Sequence, residues 1–215
     1  MLRLDLALQL LAHSGQQAPA GEPGSPAWLQ ELIDALVELS SRDALTGLSN
    51  RRSFELALGR EIDRVARSGE PALLLTLDID HFKRVNDSHG HAAGDSVLTV
   101  VAERLMRHAR DEDTVCRNGG DEFLYLLINP ADRQNVARIA GLVRQAIESP
   151  IGLGELQFVI TPSIGIALYP SDGTNGQTLI AHADAAMYRA KQLQSPCEFF
   201  APPLALGADS PPQPR

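Results

Sequence analysis

Cysteine is scarce: the 215-residue chain holds two, Cys116 and Cys197. Neither stands in metal-ligand spacing, which argues against a disulfide framework and a zinc site and fits a reducing cytoplasm. Long apolar runs are also lacking. No stretch approaches the ~20 residues of a membrane span, and the leucine-rich opening is broken by Asp5 and Gln9, against a signal peptide. Positive charge is short as well: 19 Lys and Arg against 27 Asp and Glu leave a formal net charge of −8. That balance argues against a protein that grips nucleic acid through its overall field, so an anionic substrate needs a local metal or local lysines. There is no internal repeat. What is there, 44% hydrophobic and 21% charged residues, is ordinary globular composition.

The spacing of leucines from Leu2 to Leu11 fits a strand and a helix equally. Ser14 to Pro26, rich in Gly, Pro, Gln and Ala, reads as a flexible linker, so residues 1–26 form an N-terminal segment. From Trp28 a helical stripe follows (Leu29, Leu32, Ile33, Leu36, Val37, Leu39). Over residues 27–41 it suits either a helix packed on its own domain or a short dimerising stalk, and two heptads do not decide. Asp43 to Arg52 is a polar turn in which Ser49 or Asn50 can cap the next helix (Phe54, Leu58, Ile62, Val65), which Ser68-Gly69-Glu70-Pro71 stops. Ala72 to Asp80 is a nearly unbroken apolar run ending in acids, the pattern of a central strand covered on both faces.

Asn86 to Asp95 reads as a polar loop, with Asp95 or Ser96 starting a helix through Val97, Leu98, Val101, Leu105 and Met106. His89 and His91 lack spaced partners for zinc. Thr114 to Ile128 reads as a β-hairpin, Ala131 to Ser149 as an amphipathic helix, and Leu156 to Tyr169 as two short strands or one bent. Thr178 to Gln192 is a last helix, Cys197 to Phe200 a last strand, and the Pro-rich stretch 201–215 a disordered tail. Strands alternating with helices around one hairpin specify an α/β layered domain over residues 42–200. Its central mixed sheet is flanked by helices, with a short helical extension before it.

Chemistry concentrates at two places. In Arg117-Asn118-Gly119-Gly120-Asp121-Glu122-Phe123 the Gly-Gly pair supplies the positive φ of a tight turn, but the two acids open an otherwise apolar strand, where they are poor formers. Asp78 sits inside the other apolar run, where a carboxylate without a partner is costly, so it is a ligand candidate. Asp80 is favoured as the N-cap of the helix that follows. If the strand of Asp78 lies beside that of Asp121, the carboxylates converge at a sheet edge as an oxygen cage for Mg²⁺. Arg110 and Asp113 read by default as a solvated turn, although an Arg and an Asp three apart can also offer a donor and an acceptor to a guanine edge.

With these residues in view the chain resembles a known family, the GGDEF domain of diguanylate cyclases. The resemblance runs from about Arg42 to Lys191. It is carried by Asp43-x-Leu-Thr-Gly-Leu-x-Asn-Arg-Arg52, Asp78-Ile-Asp-His-Phe-Lys83, Asn86-Asp-x-x-Gly-His91-x-x-Gly-Asp95 and Gly119-Gly-Asp-Glu-Phe123. Further along, Ser163-Ile-Gly-Ile-Ala167, Pro170-x-Asp-Gly173 and Ala183-Asp-x-Ala-Met-Tyr-x-Ala-Lys191 carry it too. It implies a nucleotidyl-cyclase-like fold with a five-stranded sheet, and condensation of two GTP into cyclic di-GMP with release of pyrophosphate across a homodimer. By the same resemblance Asp78, the carbonyl of Ile79 and Asp121, with Glu122 nearby, hold Mg²⁺ or Mn²⁺, and Asp121 helps take the 3′-hydroxyl proton. Asn86 and Asp95 read guanine with His91 beside them, Gly119 and Gly120 admit the phosphates, and Lys83 and Lys191 neutralise their charge. Arg110 and Asp113 correspond to an inhibitory site for the product.

Two positions depart from the pattern. Asn118 stands where the family has an aromatic or aliphatic residue, which is expected to loosen the hairpin. Gln194-Ser195-Pro196 stands where a Gly-Arg-Asn group follows Lys191, so the arginine expected at the triphosphate is missing. The alternative reading is a catalytically weak module that senses cyclic di-GMP or GTP and signals to a protein partner.

Overall fold

The computed structural model describes residues 4–129 and 132–202, and the expected tail lies almost wholly outside them. The central strand is the apolar run. β2 (Ala72–Ile79) is buried from end to end, and it is paired antiparallel on one side with β4 (Glu122–Ile128) and on the other with β7 (Pro162–Tyr169). The remaining strands are β1 (Ser49–Asn50), β3 (Thr114–Gly119), β5 (Ile151–Leu153), β6 (Leu156–Phe158) and β8 (Cys197–Phe199). The main sheet runs β1-β3-β4-β2-β7-β8, with parallel pairs at both edges. It has six strands where five were expected. The addition is the two-residue β1, which lies in the segment read as a polar turn and is too short to show a period. β5 and β6 form a separate ribbon, so the Leu156–Tyr169 region is two strands rather than one bent strand.

Period two divides the strand's apolar residues between two helical layers. Leu73, Leu75, Leu77 and Ile79 pack in one cluster with Val97, Leu98 and Val101 of α5 (His91–His108) and Val136 and Val143 of α6 (Arg133–Glu148). Ala72 and Leu74 face Phe54, Leu58 and Val65 of α3 (Arg51–Ser68) and Leu179 and Ala183 of α7 (Gly176–Leu193). Each fully buried leucine here is worth about 1.5–3 kcal/mol of apolar transfer. Asn50 caps α3 through Ser53 N, and Gly69 ends it in the left-handed region at φ 73°.

Two local readings are corrected. The expected polar loop from Asn86 to Asp95 is instead the end of α4 (Phe82–His89), a break at Gly90 and the start of α5, so the helix begins at His91 and not at Asp95 or Ser96. The polar side chains there are helical ones, most of them exposed, which composition alone does not distinguish from a loop. Asp80 is not an N-cap. His81 holds that position at φ 57° without a side-chain bond, while Asp80 accepts hydrogen bonds from Thr161 Oγ1 (2.9 Å) and Ser163 Oγ (2.7 Å) across the sheet.

Before the domain, α1 (Leu4–His13) is helical, and Leu11 packs on Trp28 and Leu32 of α2 (Pro26–Ser41). The Gly- and Pro-rich linker is tied back where Trp28 Nε1 donates to Pro19 O at 3.0 Å.

α7 lies on β7 at Gly165, where an added β-carbon would sit 2.1 Å from the Ala183 carbonyl oxygen and 2.2 Å from Met187 N. Both neighbours are helix backbone and cannot swing aside. Gly165→Ala is therefore expected to lower stability by roughly 1–3 kcal/mol or more, read as a fall in the urea midpoint at unchanged slope.

Candidate active site

The carboxyl end of β2 brings the expected acids together. Asp78 is the last even-numbered residue of the strand, so it faces the α7 layer, and its register partners are Glu122 on β4 and Ser163 on β7. Asp121 lies in the hairpin turn beside it, where its carbonyl accepts Ile79 N at 3.3 Å. From α7, Lys191 Nζ reaches Asp78 Oδ1 at 2.7 Å.

Asp78 is buried at 8% exposure. Its carboxyl is pushed above the ordinary value, first by loss of solvent and further by the negative charges of Asp121 and Glu122, with Lys191 opposing. Asp184, on the same face of α7, is likewise raised by burial, and its carboxyl faces Thr76. Among the described residues no three His, Cys, Asp or Glu side chains are gathered tightly enough to hold a metal ion by themselves. The site's donors are all hard oxygens.

The Gly-Gly turn is held by two clamps that the sequence reading missed. Gly119 (φ 132°) and Gly120 (φ 54°) take conformations that side-chain-bearing residues rarely adopt. Arg117 donates from Nε (3.0 Å) and Nη2 (2.8 Å) to the Gly120 carbonyl, and from Nη1 to Asp43 at 3.3 Å. Burial raises the Asp43 carboxyl, but hydrogen bonds from the Thr46 hydroxyl and amide, and then Arg117, outweigh it and leave the group below its usual value. The second clamp uses Asn118, which accepts from Arg51 Nη1 (2.6 Å) and donates to Glu122 Oε2 (2.9 Å). Asn118 therefore cross-links the hairpin to α3, contrary to the expected loosening. The signal for both was the Arg-Asn pair before the glycines, but its partners lie some 70 residues away in sequence and only the fold supplies them.

The other expected residues lie nearby or apart. Asn86, in the last turn of α4, packs against Gly94 so closely that a β-carbon there would lie 1.9 Å from Asn86 Oδ1. His91 opens α5 and Asp95 follows one turn later, both exposed. Lys83 is exposed on α4 and makes no ion pair among the described residues. Arg110 and Asp113 sit elsewhere, in a cleft of about 140 Å³ with His108, Leu127 and Arg138. Asp113 is already engaged: Oδ1 accepts Ile128 N (3.1 Å), and Oδ2 accepts Arg110 N (3.0 Å) and the Tyr125 hydroxyl (3.3 Å). It is a folding anchor for the hairpin as well as a lining residue, and Arg138 is a second cation at that cleft which the sequence did not single out.

Residues 40–196 match the family model described as the GGDEF domain of diguanylate cyclases. The chain belongs to the GGDEF domain family. Among its relatives is the diguanylate cyclase TpbB of Pseudomonas aeruginosa, 40% identical over 77% of this chain and 38% of TpbB. Another is the response regulator PleD of Caulobacter vibrioides, 36% identical over 76% of this chain and 37% of PleD. The phosphodiesterase NbdA of P. aeruginosa is also similar, at 34% identity over 81% of this chain and 22% of NbdA. The chain thus spans well under half the length of these curated relatives.

The crystal structure of a sensory box/GGDEF family protein of Caulobacter crescentus superposes with a TM-score of 0.69 at 40% identity, covering 71% of this chain and 99% of that one. The coiled coil and GGDEF domain of DgcB from C. crescentus, solved with c-di-GMP, gives 0.74 at 27% identity over 92% of this chain and 99% of that one. No described helix of this GGDEF protein is long and apolar enough to cross a membrane.

The raised Asp78 carboxyl carries a stability consequence with a definite sign. A folded-state value above the unfolded one near 3.8 means that the charged form costs stability. That cost is full above the folded value and vanishes below the unfolded one. Asp78→Asn, which leaves the solvent-reachable Lys191 to hydrate, is expected to raise the urea midpoint at pH 7. The gain over the parent should shrink to nothing as pH falls below the ordinary carboxylate range.

Proposed function

We propose that this GGDEF domain is a diguanylate cyclase that condenses two GTP into cyclic di-GMP and two pyrophosphates. The observation that carries the reading is the meeting of Asp78, Glu122 and the Asp121 turn at one sheet edge, with Lys191 on Asp78. A carboxylate raised first by burial and further by its acidic neighbours costs folding in its charged form, which fits a group kept for chemistry.

In this reading each protomer of a homodimer holds one GTP. Asn86 and Asp95 accept and donate along the guanine edge with His91 beside them, and the side-chain-free turn of Gly119 and Gly120 lets phosphates approach the backbone. The 3′-hydroxyl of one nucleotide attacks the α-phosphate of the other. A phosphorus–oxygen ester bond forms, the bond to the β-phosphate breaks, and pyrophosphate leaves; the same step in reverse orientation closes the ring.

Asp121 takes the hydroxyl proton, and Lys83 and Lys191 balance the charge that grows on the leaving phosphates. The donor set suits Mg²⁺ or Mn²⁺. Asp78, Asp121, Glu122 and the Ile79 carbonyl would hold the ion, with nucleotide phosphates completing its shell. Bound there, it would neutralise phosphate charge and make the hydroxyl more acidic. Lys191 supplies positive charge to Asp78. When the substrate is in place it is released toward the phosphates. The domain layout that goes with this reading is an N-terminal segment over residues 1–26, a stalk helix over 27–41 and the catalytic domain over 42–200.

Two experiments test the function. Purified protein incubated with GTP and Mg²⁺ at concentrations that favour dimers should form cyclic di-GMP, separable by chromatography, and Asp121→Ala should reduce the rate at least 10²-fold. Retained turnover in that variant would sink the assignment. For feedback through the second cleft, Arg110 is the clean probe, because its side chain is exposed while Asp113 anchors the hairpin. Arg110→Ala should weaken cyclic di-GMP binding by about 10-fold or more in calorimetric titration and leave the melting temperature unchanged. Equal binding by parent and variant would remove the product site from Arg110.

A further inference from the structure

Beside the Asp78–Lys191 pair opens a cleft of about 450 Å³ lined by His81, Arg144, Thr161, Lys191, Gln194 and Ser195. Its walls come from four directions: the turn after β2, the start of β7, the C-terminal end of α7, and α6. At the α7 end the chain carries no cation beyond Lys191. Gln194 closes the helix in the left-handed region at φ 52°, and Ser195 Oγ turns back to Glu198 Oε1 (2.7 Å) and Cys197 O (3.2 Å).

The other permanent positive charge at the cleft is Arg144. The inward stripe of α6 is Val136, Ala140, Val143 and Ile147. Arg144 follows Val143 on the helix, and its side chain is one-third exposed. Its Nε donates to Glu148 Oε1 at 2.6 Å, one turn on. That contact fixes the guanidinium plane through a single N–H and leaves both terminal nitrogens without a hydrogen-bond partner among the described residues. The acid that shares the cleft, Asp80, makes no contact with them among the described residues and accepts instead from Thr161 and Ser163. Other arginines nearby are engaged by the fold: Arg104 of α5 donates to the carbonyls of Ile147, Ser149 and Pro150, and Arg189 of α7 to that of Phe199. A guanidinium held by its Nε and open along its terminal edge presents the fork that binds a phosphate through two parallel hydrogen bonds.

We propose that Arg144 is a phosphate-binding residue of the nucleotide site. With Lys191 it grips the terminal phosphates of GTP, supplying from α6 the guanidinium that the Gln194-Ser195-Pro196 segment lacks. The assignment rests on the reading of this sheet edge as a GTP site. It makes Arg144 selective by phosphate number, since a nucleoside monophosphate placed by its guanine and α-phosphate ends short of α6.

The test is calorimetric titration of the full chain, in Mg²⁺, with a non-hydrolysable GTP analogue and with GMP. Arg144→Ala should weaken the triphosphate by about 10- to 100-fold, the range of a hydrogen bond to a charged group, and leave GMP binding as in the parent. Unchanged GMP binding also shows that the variant is folded. Adding Ser195→Arg to Arg144→Ala should recover most of the loss, because a guanidinium then returns to the same cleft from the α7 side. If the parent prefers the triphosphate to GMP and Arg144→Ala keeps the same preference, the assignment of Arg144 is wrong and the cyclase reading stands. If the parent binds no guanine nucleotide, the GTP site itself is wrong and Arg144 falls with it.

Discussion

The ion pair between Asp78 and Lys191 is the constraint around which the molecule is arranged. An isolated carboxylate inside a sheet would be neutralised or expelled, so its presence requires a cation delivered to the same point. Delivery depends on the fold: Asp78 is the fourth even-numbered residue of a strand whose even face belongs to α7, and Lys191 is near the end of that helix. The helix reaches the strand because Gly165 lets its backbone lie directly on β7. Charge, period and packing therefore converge on one pair. Burial nevertheless makes the charged Asp78 a cost that Lys191 only partly offsets, which marks the position as a candidate for chemistry rather than for folding.

Around that pair, precision comes from clamps on the hairpin turn. Two successive glycines in positive φ are the most deformable backbone in the sheet, and they carry Asp121 next to them. Arg117 fixes the turn through the Gly120 carbonyl and is itself fixed by Asp43, whose hydrogen bonds from Thr46 keep it charged. Arg51 and Asn118 do the same for Glu122 from the α3 side. A turn made of two glycines thus recovers its rigidity from side chains outside it.

Most of this frame was legible in the residues. The apolar run Ala72–Ile79 could only be a central strand, the Gly-Gly pair could only be a tight turn, and Asp78 stood out as a charge with no folding role. Neighbouring strands then brought Asp78 and Glu122 into register. What was not legible depends on distance or on ambiguity of period. Asn86 to Asp95 is polar enough to be a loop, yet it forms two helix ends. Asp80 satisfies the capping rule but instead accepts from the hydroxyl donors of Thr161 and Ser163, which lie about 80 residues downstream. Asn118 looked like a defect by comparison with an aromatic. Its value as a bridge depends on Arg51, which local sequence cannot supply. Arg144 is locally one more charge on a helix, and only the fold places it on the same cleft as Lys191 and Gln194.

The two candidate ligand sites stand at opposite ends of one strand. Glu122 begins β4 and faces Asp78, while Ile128 ends it and donates to Asp113 beside Arg110. Seven residues of strand separate them by roughly 20 Å at about 3.4 Å per residue. Between those ends Phe123 to Leu127 are buried, Phe123 to Leu126 are paired on both sides, and Tyr125 is locked to Asp113 and to the His108 carbonyl. Coupling between sites requires an element with two arrangements that each ligand favours differently. A fully buried, doubly paired strand has one. β4 therefore sets the distance between the acids and the arginine cleft, and any communication between them has to run through elements that can move relative to that strand.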